Sequence, residues 1–455
     1  MTASPSHLIE PERKTSVFGE FDVVVLGGGP AGIAAAASAA AHGRTVLLVE
    51  RYGFLGGMGT AAGVTNFCGL YANVHGDITQ VVHGVADDLL ARIDRLGGLN
   101  APHLVLGKTC AQAYDTAAYK CAADDLLLSQ GVTLAFHALA VGIVMDGPSR
   151  IKALLIETKS GRRAVIGRVF TDCSGDGDLA AFAGAPYDKG SGHEMLYPTM
   201  MFRLNGVDAV KAGEAWRTIP ALMDEAEKRG VKFPRKGAIV RPQKHTSEWR
   251  VNVTQVKTAD GGAIDATDAH QLSAGEIDGR RQALAFFDFL KREAPGFADS
   301  YIIDIPPQLG VRETRRIRGG HALTADDVIN CENFEDTIGV NGWPIEAHVA
   351  GDVVWRWPEI PASRGFNHLP YRMLTPQTPD GQPFDNLLVA GRCASMTHEG
   401  QSAARVSGAC FVMGQAAGTA AHLSLAGNSG CGNIAVDELQ SALENDGAYL
   451  GRSKT

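Results

Sequence analysis

Gly27, Gly29 and Gly32 stand in the run DVVVLGGGPAGIAAAA at the spacing G-x-G-x-x-G. In that pattern the first glycine permits a tight turn, and the second lets backbone approach a pyrophosphate. The third lets a helix pack closely on a strand. With Pro30 and Ala31 between them, they open a helix whose free N–H groups and dipole favour a bound phosphate. Glu50 follows eighteen residues beyond Gly32, a placement that suits a carboxylate accepting hydrogen bonds from a ribose diol. An acid there also disfavours a 2′-phosphate, and so NADP. A structural glycine turn is the blander reading of the same residues.

The surrounding elements must hold these groups in place. Phe21 to Leu26 is an apolar run with three consecutive valines, the composition of a buried parallel strand. The alanine-rich run from Gly32 to His42 favours a helix, Gly43 ends it, and Thr45 to Glu50 reads as a second buried strand. Strand, glycine turn, helix and strand in about thirty residues make a βαβ unit. Residues 113–130 read as a helix stopped by Gly131, and short strands are expected at about 132–136, 139–145, 151–158 and 164–171. Residues 190–365 change in character. They carry charged, tryptophan-containing stretches and a helix from about Ser273 to Glu293, ended by Pro295. From Asn386 the earlier style returns, with a strand at Leu387–Ala390 and a long small-residue helix to about Leu425. The pattern predicts an α/β chain: a disordered lead-in at 1–17, a discontinuous nucleotide domain at 18–189 and 366–430, an inserted substrate domain at 190–365 and a tail at 431–455.

Bulk properties narrow the partners. The 455 residues are 45% hydrophobic and 20% charged, with a net charge of −8, ordinary globular usage with ample material for a core. The 54 glycines are about 12% of the chain against a typical ~7%. They cluster beside apolar runs, as tight turns and close ligand approach require. No long basic run points to nucleic acid or to an anionic membrane surface. Met1 to Ser16 lacks the apolar core of a secretory signal. The apolar stretch Val23–Ala41 is too interrupted by glycine and proline to span a bilayer. Eight cysteines are scattered without C-x-x-C or zinc spacing, so reduced thiols in a cytoplasm are expected and no metal site is.

Beyond the fingerprint, four segments resemble the FAD-dependent oxidoreductase family, the broad group built like the FAD domain of glutathione reductase and related to fumarate-reductase flavoproteins. They are ERYGFLGGMGT (Glu50–Thr60), DCSGDGDLAAFAGAP (Asp172–Pro186), GVRETRRIRG (Gly310–Gly319) and NLLVAGRCASMTHEGQSAARVSGACFVMGQAAGTAA (Asn386–Ala421). YPTMMFRL (Tyr197–Leu204) and LPYRMLTP (Leu369–Pro376) are similar to family segments as well. The resemblance implies FAD as the cofactor, and a Rossmann-like FAD-binding domain with a three-layer parallel sheet plus an inserted α+β substrate domain. It places Arg51, Gly56, Gly57, Met58, Gly59 and Thr60 along the pyrophosphate and ribityl chain. Ala140 would offer backbone groups to the adenine. Ser174, Gly175 and Asp176 would close over the adenosine half, unless they only cap the following helix. Gly391 and Arg392 would pass beneath the pyrophosphate. Arg405, Val406 and Ser407 would start a helix whose positive end faces the flavin pyrimidine. RVSG stands here where the family pattern has proline and threonine after the arginine-valine pair.

Flavin carries the redox chemistry, and the protein supplies position and electrostatics. His398, beside Glu399 in MTHEG, is a candidate general base or a structural histidine. Arg312, Arg315 and Arg316 would share a face if RETRR were helical, and could clamp a substrate carboxylate. Alternatively they pair with Glu313. Tyr371, Arg372 and His368 are further candidates, each also consistent with packing. Cys68 and Cys393 could flank the flavin.

No covalent attachment motif and no second dinucleotide fingerprint stand out, and the GDAAH-like segment of aromatic hydroxylases is absent. The expectation is therefore a dehydrogenase or oxidase with dissociable FAD. It would take a hydride from a small organic molecule, one that could bear a carboxylate, and pass electrons to oxygen, a quinone or a protein. Reduction of an activated double bond, a non-catalytic protein that keeps the fold and, more remotely, a sulfur-donating protein similar to thiazole synthase are the alternatives. A homodimer is a base-rate expectation.

Overall fold

The computed structural model describes residues 10–452; residues 1–9 of the expected lead-in and 453–455 of the expected tail lie outside them. β1 runs from Ser16 to Leu26, five residues earlier than the apolar run suggested, because its exposed start still pairs with a partner strand. α1 (Pro30–Ala41) and β2 (Val46–Val49) complete the βαβ unit. Next come α2 (Thr116–Ser129), β3 (Thr133–Ala135), β4 (Leu139–Met145), β5 (Ile151–Thr158) and β6 (Gly161–Asp172). Val23, Val24 and Val25 have no exposed surface, as a strand flanked on both edges and covered on both faces requires.

A second core gathers buried side chains from Met200 to Val311. Its sheet is built of β7 (Phe202–Asn205), β8 (Ile239–Pro242), β9 (Trp249–Asn252) and, after the 25-residue helix α3 (Ala269–Glu293), β10 (Tyr301–Asp304). The order is β8-β9-β7-β10, all antiparallel. This helix-and-sheet core falls within the expected insertion at 190–365. From Ile317 onward Trp343 and Val406 cluster with Ala111, while most buried hydrophobic side chains, Ile338 and Leu369 among them, join the first core. So do Leu439 and Leu443 of the C-terminal segment, which therefore packs on the main body.

The chain then forms the hairpin β11 (Ile345–Val349) and β12 (Asp352–Arg356). β13 (Leu387–Val389), the short helix α4 (His398–Ala404) and the 21-residue helix α5 (Ser407–Gly427) follow. The main sheet is mixed. Strands β3, β2, β1, β6 and β13 run parallel, while β5 and β4 add antiparallel to the N-terminal half of β6.

α1 and α5 lie against each other in parallel. A Cβ at Gly414 would run into the Ala31 carbonyl, and one at Gly418 into that of Ala35. Ser38 and Thr419 hydrogen-bond across the contact at 2.8 Å. α5 therefore starts seven residues before the contact with Ala31, about 10 Å beyond the start of α1. Both helix N-termini face the same way, offset along one line.

Candidate functional site

The turn after β1 starts with Gly27 at φ +99°, and its amide donates to Val49 O at 2.8 Å. The cap of α1 is Gly29, with no side-chain cap, no acid in the first turn and Pro30 at the first helical position. The first helical bond runs from Ile33 N to Gly29 O. The helix start thus offers amides and positive dipole to an anion. Glu50 lies beside it, 7% exposed. Its Oε2 accepts the Gly28 amide at 2.7 Å and its Oε1 accepts the Tyr52 amide at 2.9 Å. The Gly56–Gly59 loop backs onto this turn. Gly56 N donates to Gly28 O at 2.8 Å, and a Cβ at Gly57 would stand 2.8 Å from Gly29 Cα.

A cavity of about 530 Å³ runs from this turn into the second core. Among the residues expected to touch the cofactor, its walls include Gly27, Gly29, Pro30, Ala31, Glu50 and Arg51. Farther along are Gly57–Gly59, Ser174, Gly175, Gly391, Arg392 and Arg405–Ser407. Five expected residues do not line it, Asp176 among them. Gly32 is spent on packing against the Gly27 carbonyl. Gly56 and Thr60 shape the loop from behind, Thr60 Oγ1 donating to Leu55 O at 2.7 Å. Ala140 pairs with Ile156 inside the antiparallel arm.

The wall opposite α1 is braced by carboxylates. Asp172 Oδ1 accepts from Ser174 N at 3.0 Å and Oδ2 from Ala180 N at 2.9 Å. Burial raises its carboxyl to about 6 despite these bonds. Asp176 takes Arg392 Nη2 at 2.9 Å and the Thr314 hydroxyl at 2.9 Å. Burial would raise its carboxyl, but the Arg392 and Arg51 guanidiniums hold it below the ordinary range. Arg51 itself donates to Gln308 Oε1 at 2.7 Å.

α5 begins without a side-chain cap or an acid in its first turn. Ser407 Oγ accepts the Cys68 amide at 2.9 Å and donates to Cys68 O at 3.1 Å. A Cβ at residue 408 would meet the Gly69 carbonyl. The glycine that follows Ser407 in RVSG therefore serves this close approach.

Beyond α5 the cavity becomes a cationic chamber. Arg250, Arg312 and Arg405 line it, with Glu346, His348, Trp343 and Cys68. Arg235, 2% exposed, lies behind them and donates to Asn252 O at 2.7 Å. Arg312 Nη1 donates to Tyr197 O and Thr199 Oγ1, at 2.7 and 2.6 Å. Arg250 Nη1 donates to Val64 O at 2.6 Å, and Arg405 Nη2 to Glu346 O at 3.1 Å. Among the described residues nothing partners Nε of Arg250, Nε of Arg405, or Nε and Nη1 of Arg235. Burial, then Arg405 and Arg235, pull the Arg312 guanidinium well below its usual value.

Glu346 is the buried carboxylate of the chamber walls, and the exposed Asp352 of the same hairpin also lines the cavity. Its Oε2 takes Trp343 Nε1 at 3.0 Å and its Oε1 lies 3.3 Å from His348 Nε2. Burial would raise this carboxyl, yet His348, Arg405 and Trp343 hold it at about 2. Burial, then Arg312, pull His348 well below the usual histidine value. Four guanidiniums outnumber the carboxylates that act on them, Glu346, Asp352 and Glu313, which favours a further anion in the chamber.

The other candidates for chemistry sit elsewhere. RETRR is not helical, so Arg312 enters the chamber while Arg315 turns away to Asp178 Oδ1 at 2.8 Å and Arg316 pairs with Glu313. His398 is outside the cavity walls, its Nδ1 2.9 Å from Glu313 Oε2. Tyr371 is buried, donating to Cys431 O at 2.6 Å. Arg372 pairs with Asp336 at 2.9 Å, and His368 accepts the Phe334 amide at 3.2 Å. Cys393 is buried with its thiol raised, whereas Cys68 does face the cavity. Sequence reading missed Arg250, Glu346 and His348. The available signal was IEAHV, where an acid and a histidine two apart share one strand face.

A family model described as FAD dependent oxidoreductase matches residues 22–443. No curated protein matches the chain. Among solved structures, a geranylgeranyl bacteriochlorophyll reductase-like protein from Thermoplasma acidophilum is 13% identical over 94% of this chain and 82% of its own, with a TM-score of 0.47. The myxobacterial chondrochloren halogenase CndH is 13% identical over 94% and 78%, with a TM-score of 0.46. The flavin-dependent brominase Bmp2 is 13% identical over 94% and 83%, also at 0.46.

Proposed function

Since the chain belongs to the FAD-dependent oxidoreductase family, we propose that it takes a hydride from a small carboxylate-bearing molecule onto non-covalently bound FAD. The observation that carries this reading is the single cavity joining the uncapped start of α1 to the arginine chamber. The residues suit the cofactor. The α1 amides and the Gly57–Gly59 loop would receive the diphosphate, Glu50 the ribose, and Ser174, Gly175, Gly391 and Arg392 the backbone of the nucleotide. The start of α5, about 10 Å farther along, would face the pyrimidine end, where a positive helix terminus favours negative charge. Bound there, FAD supplies a two-electron acceptor.

The protein's own groups do the rest. Arg250, Arg312 and Arg405 would hold a carboxylate through charge-assisted hydrogen bonds, and the buried walls would keep water from the reacting carbon. Electrons would leave to oxygen, a quinone or a protein. Anaerobic mixing of the yellow holoenzyme with a panel of acids, alcohols and amines tests the proposal. Bleaching by acids supports it. Bleaching confined to neutral alcohols or amines refutes the carboxylate reading, and turnover of pre-reduced enzyme by activated alkenes alone reverses the direction.

A further inference from the structure

We propose that His348, oriented by Glu346, accepts the hydroxyl proton of a small hydroxy acid whose carboxylate sits against Arg250, Arg312 and Arg405. This rests on the carboxylate reading above and adds the substrate class and the base.

The geometry begins with β11. Its two-residue alternation puts Glu346 and His348 on one face, and both side chains line the chamber. His348 is 3% exposed, and its backbone is fixed by Tyr197 N donating to its carbonyl at 3.0 Å. Glu346 is fixed by Trp343 Nε1 at 3.0 Å. An ionised carboxylate only accepts, so the 3.3 Å contact places the imidazole hydrogen on Nε2. Nδ1 keeps its lone pair, and among the described residues no hydrogen bond reaches it. A neutral histidine in a cavity wall, turned by a carboxylate and with its other nitrogen unengaged, has the arrangement of a general base.

The charges around the imidazole make it responsive to substrate. Arg312 faces it from the segment after Gly310, Arg405 from the end of α4, and Glu346 from its own strand. Burial, then repulsion from Arg312 and Arg405 that Glu346 only partly offsets, keeps the ring neutral. A carboxylate settling on the arginines cancels that repulsion, so a proton on His348 becomes favourable as the acid binds. The same arginines repel an ammonium group, which selects O–H over protonated amine as the proton source. Glu346 Oε2 lies 4.0 Å from Arg405 Nη2, and its Oε1 lies 3.3 Å from His348. Both residues thus flank one carboxylate, which places an acid group on Arg405 and a hydroxyl at His348 within reach of one small molecule.

The balance is that of an alcohol oxidation. The O–H proton passes to His348 Nδ1, the C–H bond breaks with its electron pair leaving to the flavin, and the carbon–oxygen bond becomes a carbonyl. The hydroxy acid loses two electrons and two hydrogens, and the flavin is the oxidant.

Calorimetric titration of the holoenzyme with oxalate, at pH 7 in buffers of different ionisation heat, counts protons taken up on binding. About one proton per oxalate is expected for the wild type and close to none for His348→Gln, with oxalate still binding. Glu346→Gln should move the uptake to lower pH, and Glu346→Asp should restore part of it. Anaerobic bleaching by glycolate, lactate or malate should slow about 100-fold or more in His348→Gln. Circular dichroism of the variants confirms that they fold. Undiminished proton uptake in His348→Gln overturns the role of the histidine while leaving the function reading intact. Bleaching by succinate but by no hydroxy acid overturns the substrate class. Failure of every acid to bind removes the carboxylate reading, and this proposal with it.

Discussion

Gly414 of α5 rests against the carbonyl oxygen of Ala31 in α1, so closely that a Cβ at 414 would overlap it. That contact sets how far the start of α5 reaches beyond the start of α1, and so the spacing of two uncapped helix termini along one cavity. Gly414→Ala should force the helices apart at a cost of roughly 1–3 kcal/mol. Both the melting temperature of the FAD-free protein and FAD affinity should fall. Melting scans and FAD titrations check this, and an unchanged pair of values would show that the helices do not need this contact.

Two glycines of one motif should fail in different ways. A Cβ on Gly29 would meet only Gly57 Cα, at an ordinary 3.7 Å, while the residue itself faces the cavity. Gly29→Val should leave the FAD-free protein melting within a few degrees of wild type but purify without yellow colour. Gly32 instead packs on the Gly27 carbonyl, so Gly32→Ala should destabilise the protein itself. If the two variants lose stability equally, the division of labour drawn from the turn is wrong.

Much of the fold was legible because it rests on local pattern. Three valines, a glycine turn and an alanine helix predict β1, α1 and β2 without any distant contact. The boundaries of β4 and β5 match the expected ones residue for residue. The cofactor side was legible for the same reason, since turn glycines act through backbone. The substrate side was legible only in part: Arg312, Arg405 and Cys68 were expected near it, and Arg250, Glu346 and His348 were not. Arg250, Arg312, Arg405 and Glu346 come from four separate segments, and only tertiary packing converges them. His398 drew attention through its neighbours in sequence, whereas His348 earns its place from a strand face. The inserted domain was placed by composition, which changes gradually, while the core closes sharply near residue 311.

Arg250 should govern capture of the acid more than the chemical step. Its guanidinium lines the chamber with an unpartnered Nε, and a hydrogen bond to a charged group contributes about 1.5–3 kcal/mol. Arg250→Met should therefore raise the acid concentration for half-maximal bleaching roughly 10- to 100-fold, with a smaller change in the rate at saturation. The variant also loses the bond to Val64 O, so its melting temperature should be recorded alongside. A wild-type concentration dependence would remove Arg250 from the acid site.

His398 offers the opposite expectation. It is paired with the buried Glu313 and stands outside the cavity walls. His398→Ala should keep flavin bleaching within about threefold of wild type, far from the ~100-fold loss typical of a missing general base. Stability should fall, because Glu313 loses a partner in a buried position. Stopped-flow bleaching decides the matter: a loss of 100-fold or more would return His398 to the chemistry.

Stability should decline on mild acidification. Burial lowers His103 to about 4, with Arg241 and Arg250 adding to the effect. Burial, with neighbouring arginines, lowers His348 and His368 as well. For each, the unfolded chain binds a proton near the ordinary histidine value of ~6.5, which the folded chain refuses. Protons therefore favour unfolding from about pH 6.5 downward, and stability is lost as pH falls toward the folded values. Asp172 acts with the other sign. Its carboxyl, raised to about 6 by burial, favours the folded state when protonated, a contribution that grows as pH drops from about 6 toward ~3.9. His422 is lowered like these three histidines, while His83, Asp124, Asp178 and Glu276 are raised and act with the sign of Asp172. The histidines dominate above about pH 6, where the carboxyls remain ionised in both states. Melting temperatures between pH 7.5 and 6 should fall, and His103→Gln should flatten the slope below pH 6.5. A flat wild-type profile, or an unaltered slope in the variant, would show that His103 is not held neutral in the folded protein.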